Sequence, residues 1–109
     1  MATLPSPGTR VIEETESGAA YEPLYHLILL DDNSHTYGYV VAMLGAIFGY
    51  SVEKGYAIAC VVDSEGRAIV FTGNNDAARA KQDQVHSFGP DPLMAECKGS
   101  MSAVIEPAA

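Results

Sequence analysis

The chain has 109 residues, enough for one domain with its own apolar core and too few for two. Fourteen Asp and Glu against six Lys and Arg leave a formal net charge of −8, which excludes a phosphate backbone or an anionic membrane surface as the natural partner and favours cationic or amine-bearing ones. Two cysteines, Cys60 and Cys97, suit a reducing compartment as small buried apolar residues, and neither a signal-peptide core over Met1 to Ala20 nor a bilayer-length apolar run is present, so a cytoplasmic location is expected.

Met1 to Pro23 mixes Pro5, Pro7, Gly8, Gly18 and four acidic residues with little apolar period, which predicts a disordered arm over residues 1–23 and a folded domain over 24–109. The short apolar run Leu27, Ile28, Leu29, Leu30 suits a buried strand. It breaks into Asp31, Asp32, Asn33, Ser34 and His35, where Asn33, Ser34 and Thr36 offer side chains that accept hydrogen bonds from a helix start. Tyr37, Val40, Val41, Leu44 and Phe48 then recur at helical spacing, which predicts a helix over Thr36 to Phe48 ended by Gly49. Ser51 caps a second helix over Val52 to Asp63, although Cys60, Val61 and Val62 have equal propensity for a strand. After the turn Ser64-Glu65-Gly66, Arg67 to Thr72 is a strand, and Asn74 or Asn75 caps a third helix over Asp76 to Phe88, closed by Gly89 and Pro90. Leu93 to Glu96 follows as a short strand, with Ser102 to Glu106 as a candidate fourth. The order β-α-α-β-α-β gives a small α+β two-layer sandwich, three helices on a three-stranded antiparallel sheet.

The junction between the first strand and first helix carries the chemistry. Carboxylates there lie near the positive end of the helix dipole and beside an apolar helix face, an arrangement suited to a ligand that is cationic at one atom and apolar at the next. Asp31, Asn33 and His35 at alternate positions fit the start of a calcium loop, but Thr36 stands where that loop needs Gly and Ala42 where it needs Glu. A metal site from Asp31, His35, Asp63 and His86 stays open as an alternative. No Gly-x-Ser-x-Gly and no glycine-rich phosphate loop is present, so neither a catalytic nucleophile nor a cofactor is expected.

The run YHLILLDDNSHTYGYVVAML, then FGYSVEKGYAIACVVDSEGRAIV, then AKQDQV resembles the ClpS family, the adaptors of the Clp ATP-dependent proteases, from Tyr25 to about Cys97. The most specific pieces are the acidic cluster closing the first strand, Glu65-Gly66 followed by a basic residue and Ala68, and Lys81 to Val85 as Lys-x-x-Gln-Val. The resemblance implies a non-catalytic adaptor that binds the free α-amine and bulky apolar first residue of N-degron substrates and hands them to a Clp AAA+ unfoldase, while the negative charge and small fold make a monomer the expected state. Asp31 and Asp32 align with the family's amine-binding pair, and Asp63 stands where better-known members carry a His. The implied pocket is Val40, Val62 and Leu93, with Tyr37 and Ala59 where those members carry methionines, and a short Ala59 leaves room for Ile or Val. Asp76 and Lys81 match positions that touch the unfoldase's N-terminal domain. The alternative is a protein-interaction module of the same fold that docks without recognising an amine.

Overall fold

The computed structural model describes residues 22–32, 34–93 and 99–108, so the predicted arm lies outside it apart from Glu22 and Pro23. The first apolar run forms β1, Tyr25–Leu30, in the centre of the sheet, and its three middle residues Leu27, Ile28 and Leu29 are fully buried. Burial of each is worth about 1.5 to 3 kcal/mol, which explains an unbroken apolar run where a half-exposed strand would alternate.

Strand β2, Arg67–Gly73, pairs antiparallel with β1 on one side. The register slips between Leu27 and Ile28, so that Val70 is the extra residue of a bulge, and its carbonyl accepts the Tyr50 hydroxyl at 2.6 Å. Strand β3, Ser102–Pro107, pairs antiparallel with the other side of β1, giving the order β2-β1-β3. Here the sequence reading needs correction. The segment expected as an extra strand is the third strand of the sheet, whereas Leu93 lies in a turn and the rest of the expected strand, Met94 to Glu96, lies outside the described residues.

Each helix begins on the side chain that its sequence offers. Thr36 caps α1, Tyr37–Phe48, by accepting the Tyr39 N–H at 3.1 Å, and Gly49 ends it in the left-handed region at φ 74°. Ser51 caps α2, Val52–Glu65, through the Lys54 N–H, and Gly66 at φ 85° closes it. Cys60 to Val62 are therefore helical, and Cys60 is a half-buried free thiol. Asn74 caps α3, Asn75–His86, through the Ala77 N–H.

The helices pack on the sheet around one core, in which Leu27, Leu29, Val70 and Ala103 meet Val40, Met43 and Leu44 of α1, Ala59 and Val62 of α2 and Val85 of α3. Gly55 lets α1 and α2 approach, since a Cβ there would lie 3.3 Å from the Val41 Cα. This close crossing brings the N-terminal half of α1 alongside the C-terminal half of α2. Among the described residues, no helix is long and apolar enough to cross a membrane.

Candidate functional site

The loop that leaves β1 is tied down at both ends. Asp31 donates its N–H to the Gly66 carbonyl at 3.0 Å, which holds the start of the loop against the turn between α2 and β2. At its far end Thr36 donates both its N–H and its hydroxyl to Oδ2 of Asp91, at 2.7 and 2.9 Å. Asp91 is only 3% exposed, and its burial is compensated by these bonds and by the Leu93 N–H on Oδ1. Desolvation pushes the Asp91 carboxyl up, but the hydrogen bonds from Thr36 and Leu93 outweigh it and hold the group below the usual carboxylate range.

Between this loop, α1, α2 and the start of β3 lies a cavity of about 150 Å³. Asp31, His35, Tyr37 and Asp63 form its polar side, and Val40, Ala59, Val62 and Met101 its apolar side. The four apolar residues are between 2 and 4% exposed. Helical geometry accounts for most of this set: Tyr37 and Val40 are three apart on α1, and Ala59, Val62 and Asp63 share one face of α2.

Two hydrogen bonds organise the polar side. The Tyr37 hydroxyl donates to Oδ2 of Asp63 at 2.7 Å, bridging α1 and α2 across the cavity, while its ring meets Tyr56 edge-on at 5.3 Å. That bond to a carboxylate, followed by desolvation, pushes the Tyr37 phenol well above its ordinary range. The second bond joins Asp32 to His35: Oδ1 of Asp32 accepts from Nδ1 of the ring at 2.8 Å and from the Ser34 N–H at 3.0 Å. Desolvation raises the Asp32 carboxyl, and these donors more than reverse it, so the group lies below the usual range. The opposite ring nitrogen, Nε2, donates to the Gly99 carbonyl at 2.8 Å.

Of the residues expected at the site, Asp31, Asp63, Tyr37, Val40, Ala59 and Val62 come together at the cavity. Asp32 does not line it but lies behind His35, with its side chain 37% exposed. Leu93 is elsewhere: it is 76% exposed and borders a separate depression with Tyr39, Phe88 and Pro92. The cause is Asp91, which accepts the Leu93 N–H and turns the chain outward at that point. Met101 occupies the wall instead, and its alternation with Ala103, both buried, was the available signal. Asp91 was missed as a site residue, and His35 was considered only as a metal ligand, because their roles depend on partners 55 and 64 positions away.

The other candidates stand apart. Lys81 donates to the Ile47 carbonyl at 2.8 Å, at the C-terminal end of α1, and Asp76 is exposed in the first turn of α3. His86 accepts the Ala103 N–H through Nε2, which places it on the α3–β3 contact and not with Asp31, His35 and Asp63. A larger groove of about 560 Å³ runs between α2 and β2, but among its described lining residues Glu65 is the single carboxylate, beside the cations Lys54 and Arg67 on the same lining, so it lacks converging acceptors.

Comparison with known proteins agrees with this architecture. Residues 20–96 match the family model described as ATP-dependent Clp protease adaptor protein ClpS. The chain is similar to the ATP-dependent Clp protease adapter protein ClpS of Desulforapulum autotrophicum, at 30% identity over 82 residues that cover 75% of this chain and 79% of that protein. Its counterpart in Nautilia profundicola is 28% identical over 80 residues, covering 73% and 82%. Among solved structures, Agrobacterium tumefaciens ClpS2 bound to L-phenylalaninamide superposes with a TM-score of 0.67 at 24% identity, covering 78% of this chain and 96% of that one. A match to the family model over more than half its length, with the β-α-α-β-α-β order, means that the chain belongs to the ClpS family of Clp protease adaptors.

Proposed function

We propose that the cavity between Asp31 and Asp63 binds the free α-amino group and apolar first side chain of N-degron substrates, which the protein then delivers to a Clp-type AAA+ unfoldase. The observation that carries this reading is the juxtaposition of two carboxylates with the apolar wall of Val40, Ala59, Val62 and Met101 in one small cavity. An α-ammonium group is a cation that needs oxygen acceptors, and the side chain beside it gains about 1.5 to 3 kcal/mol on full burial. L-phenylalaninamide, the ligand of the Agrobacterium tumefaciens relative, combines a free amine with an apolar side chain in this way. The shortness of Ala59 supports acceptance of Ile and Val as well as larger first residues.

The protein acts as a non-catalytic adaptor. Delivery needs a second surface, and the exposed first turn of α3 with Asp76 supports contact with the unfoldase's N-terminal domain there. Lys81 contributes by holding the end of α1 against α3, since its ammonium group is already bonded to the Ile47 carbonyl.

A docking module that ignores amines is favoured by one observation, namely that the Tyr37 hydroxyl already occupies Asp63. Fluorescence anisotropy with labelled peptides that begin with Leu, Phe, Tyr, Trp, Ile, Val or Ala, each with a free or an acetylated amine, separates the two readings. Binding of the bulky set that vanishes on acetylation supports the adaptor. Absence of binding by the folded protein supports the docking module.

A further inference from the structure

We propose that His35 is a proton-dependent staple that holds the Met101 wall of the cavity closed and thereby sets how strongly the protein discriminates among first side chains. This rests on the amine-binding reading above and deepens it.

The ring of His35 joins two segments far apart in sequence. Nδ1 faces Oδ1 of Asp32 and Nε2 faces the Gly99 carbonyl, each at 2.8 Å, and the side chain is 3% exposed. Gly99 lies two residues before Met101, which is 2% exposed and lines the cavity. The same segment is held from its other side by the Gly89 N–H, which donates to Oγ of Ser100 at 2.6 Å. The His35 ring also leans on Tyr39 of α1, with centroids 4.5 Å apart. The staple therefore fixes the segment leading into β3 to the acidic loop after β1, and residues of both line one cavity.

An ionised carboxylate and a backbone carbonyl have no hydrogen to give, so both bonds exist together only when both ring nitrogens carry hydrogens. Loss of one proton breaks one of them. Among the described residues, the groups around the ring include Asp32 and the Ser34 hydroxyl on its own loop, Asp31, Asp63 and Tyr37 lining the same cavity, Asp91 behind Thr36, and Tyr39 on α1. Met101 faces the ligand's side chain and Asp31 and Asp63 face its amine, so opening the staple affects the first more than the second.

The test is the Leu-to-Ala affinity ratio of free-amine peptides across a pH series, for wild-type protein, His35→Ala and His35→Gln. The wild-type ratio is expected to fall as pH rises through the imidazole range. In His35→Ala the ratio is expected to be lower by about tenfold, the size of one lost charge-assisted hydrogen bond, and flat with pH, while acetylation still abolishes binding. His35→Gln, which cannot donate in two opposite directions, is expected to be flat as well. An unchanged ratio in both variants, a pH-independent wild-type ratio, or equal weakening of the Leu and Ala peptides overturns the staple. Failure of wild-type protein to bind any free-amine peptide overturns the amine reading itself, which is a different result. If neither variant folds, the wild-type pH series decides alone.

Discussion

The Tyr37 hydroxyl and the Asp63 carboxylate are 2.7 Å apart, so the side chain at the polar mouth of the cavity occupies one of the two carboxylates that face into it. In the proposed function, an incoming amine must displace that hydroxyl or share the carboxylate with it. The bond also removes a difficulty in having three neighbouring acids. Asp63 is held by Tyr37 and Asp32 by His35 and Ser34, so these two carboxylates have donors without any ligand.

Tyr37→Phe keeps the ring against Tyr56 and removes the hydroxyl that competes for Asp63. Affinity for peptides with a free amine is expected to rise by a few-fold, with acetylated peptides still unbound. Anisotropy measures both. Weaker binding in Tyr37→Phe would instead make the hydroxyl part of the recognition surface.

Acid stability follows from Asp32 and Asp91, whose carboxyls both lie below the ordinary value of 3.8 in the folded protein. A group depressed on folding contributes stability that is present above its unfolded value and is lost as pH falls through the folded one. The melting temperature is therefore expected to decline from about pH 5 downward. Asp91→Asn should lower the melting temperature near neutral pH, because the Thr36 N–H and hydroxyl lose a charged acceptor, and should flatten the acid limb. Identical acid limbs in the two proteins, followed by circular dichroism, would count against Asp91 as a source of it.

The parts of this fold legible in the sequence are those set by neighbours along the chain. Thr36, Ser51 and Asn74 cap, and Gly49 and Gly66 terminate, because each acts within three or four residues. The central strand was legible because Leu27 to Leu29 leave no polar face. The third strand was misassigned because pairing along β1 is non-local: Leu93 to Glu96 and Ser102 to Glu106 have similar propensity, and only the turn fixed by Asp91 excludes Leu93 from the wall. At the site, Tyr37, Val40, Ala59, Val62 and Asp63 came from the family resemblance, and helical spacing explains only why those on one helix share a face. Met101 and His35 depend on which loop returns beside the cavity, and helical spacing does not encode that.

Gly55→Ala tests the contact that aligns those two helices. Alanine is favoured over glycine within a helix by about 0.8 to 1 kcal/mol. Here the added carbon would lie 3.3 Å from the Cα of Val41, a backbone atom in α1 that moves only with its helix. Overpacking of this kind costs about 1 to 3 kcal/mol, so the substitution is expected to destabilise by roughly 1 kcal/mol despite its better propensity. Urea unfolding provides the measurement, and a stabilised variant would show that the helices separate easily.

Ala59→Met probes the other dimension of the cavity. The residue is 3% exposed, but it borders about 150 Å³ of empty space, so a longer side chain grows into the cavity and not into packed core. The melting temperature should change little. Peptide binding should change selectively, because a β-branched first residue carries its bulk next to the backbone and meets the new side chain first. Affinity for Ile and Val peptides is expected to fall by 10- to 200-fold, about 1 to 3 kcal/mol, with Leu and Phe peptides less affected. Equal loss for all peptides would mean that the methionine blocks the cavity as a whole, and no loss for Ile and Val would mean that Ala59 does not set the breadth of recognition.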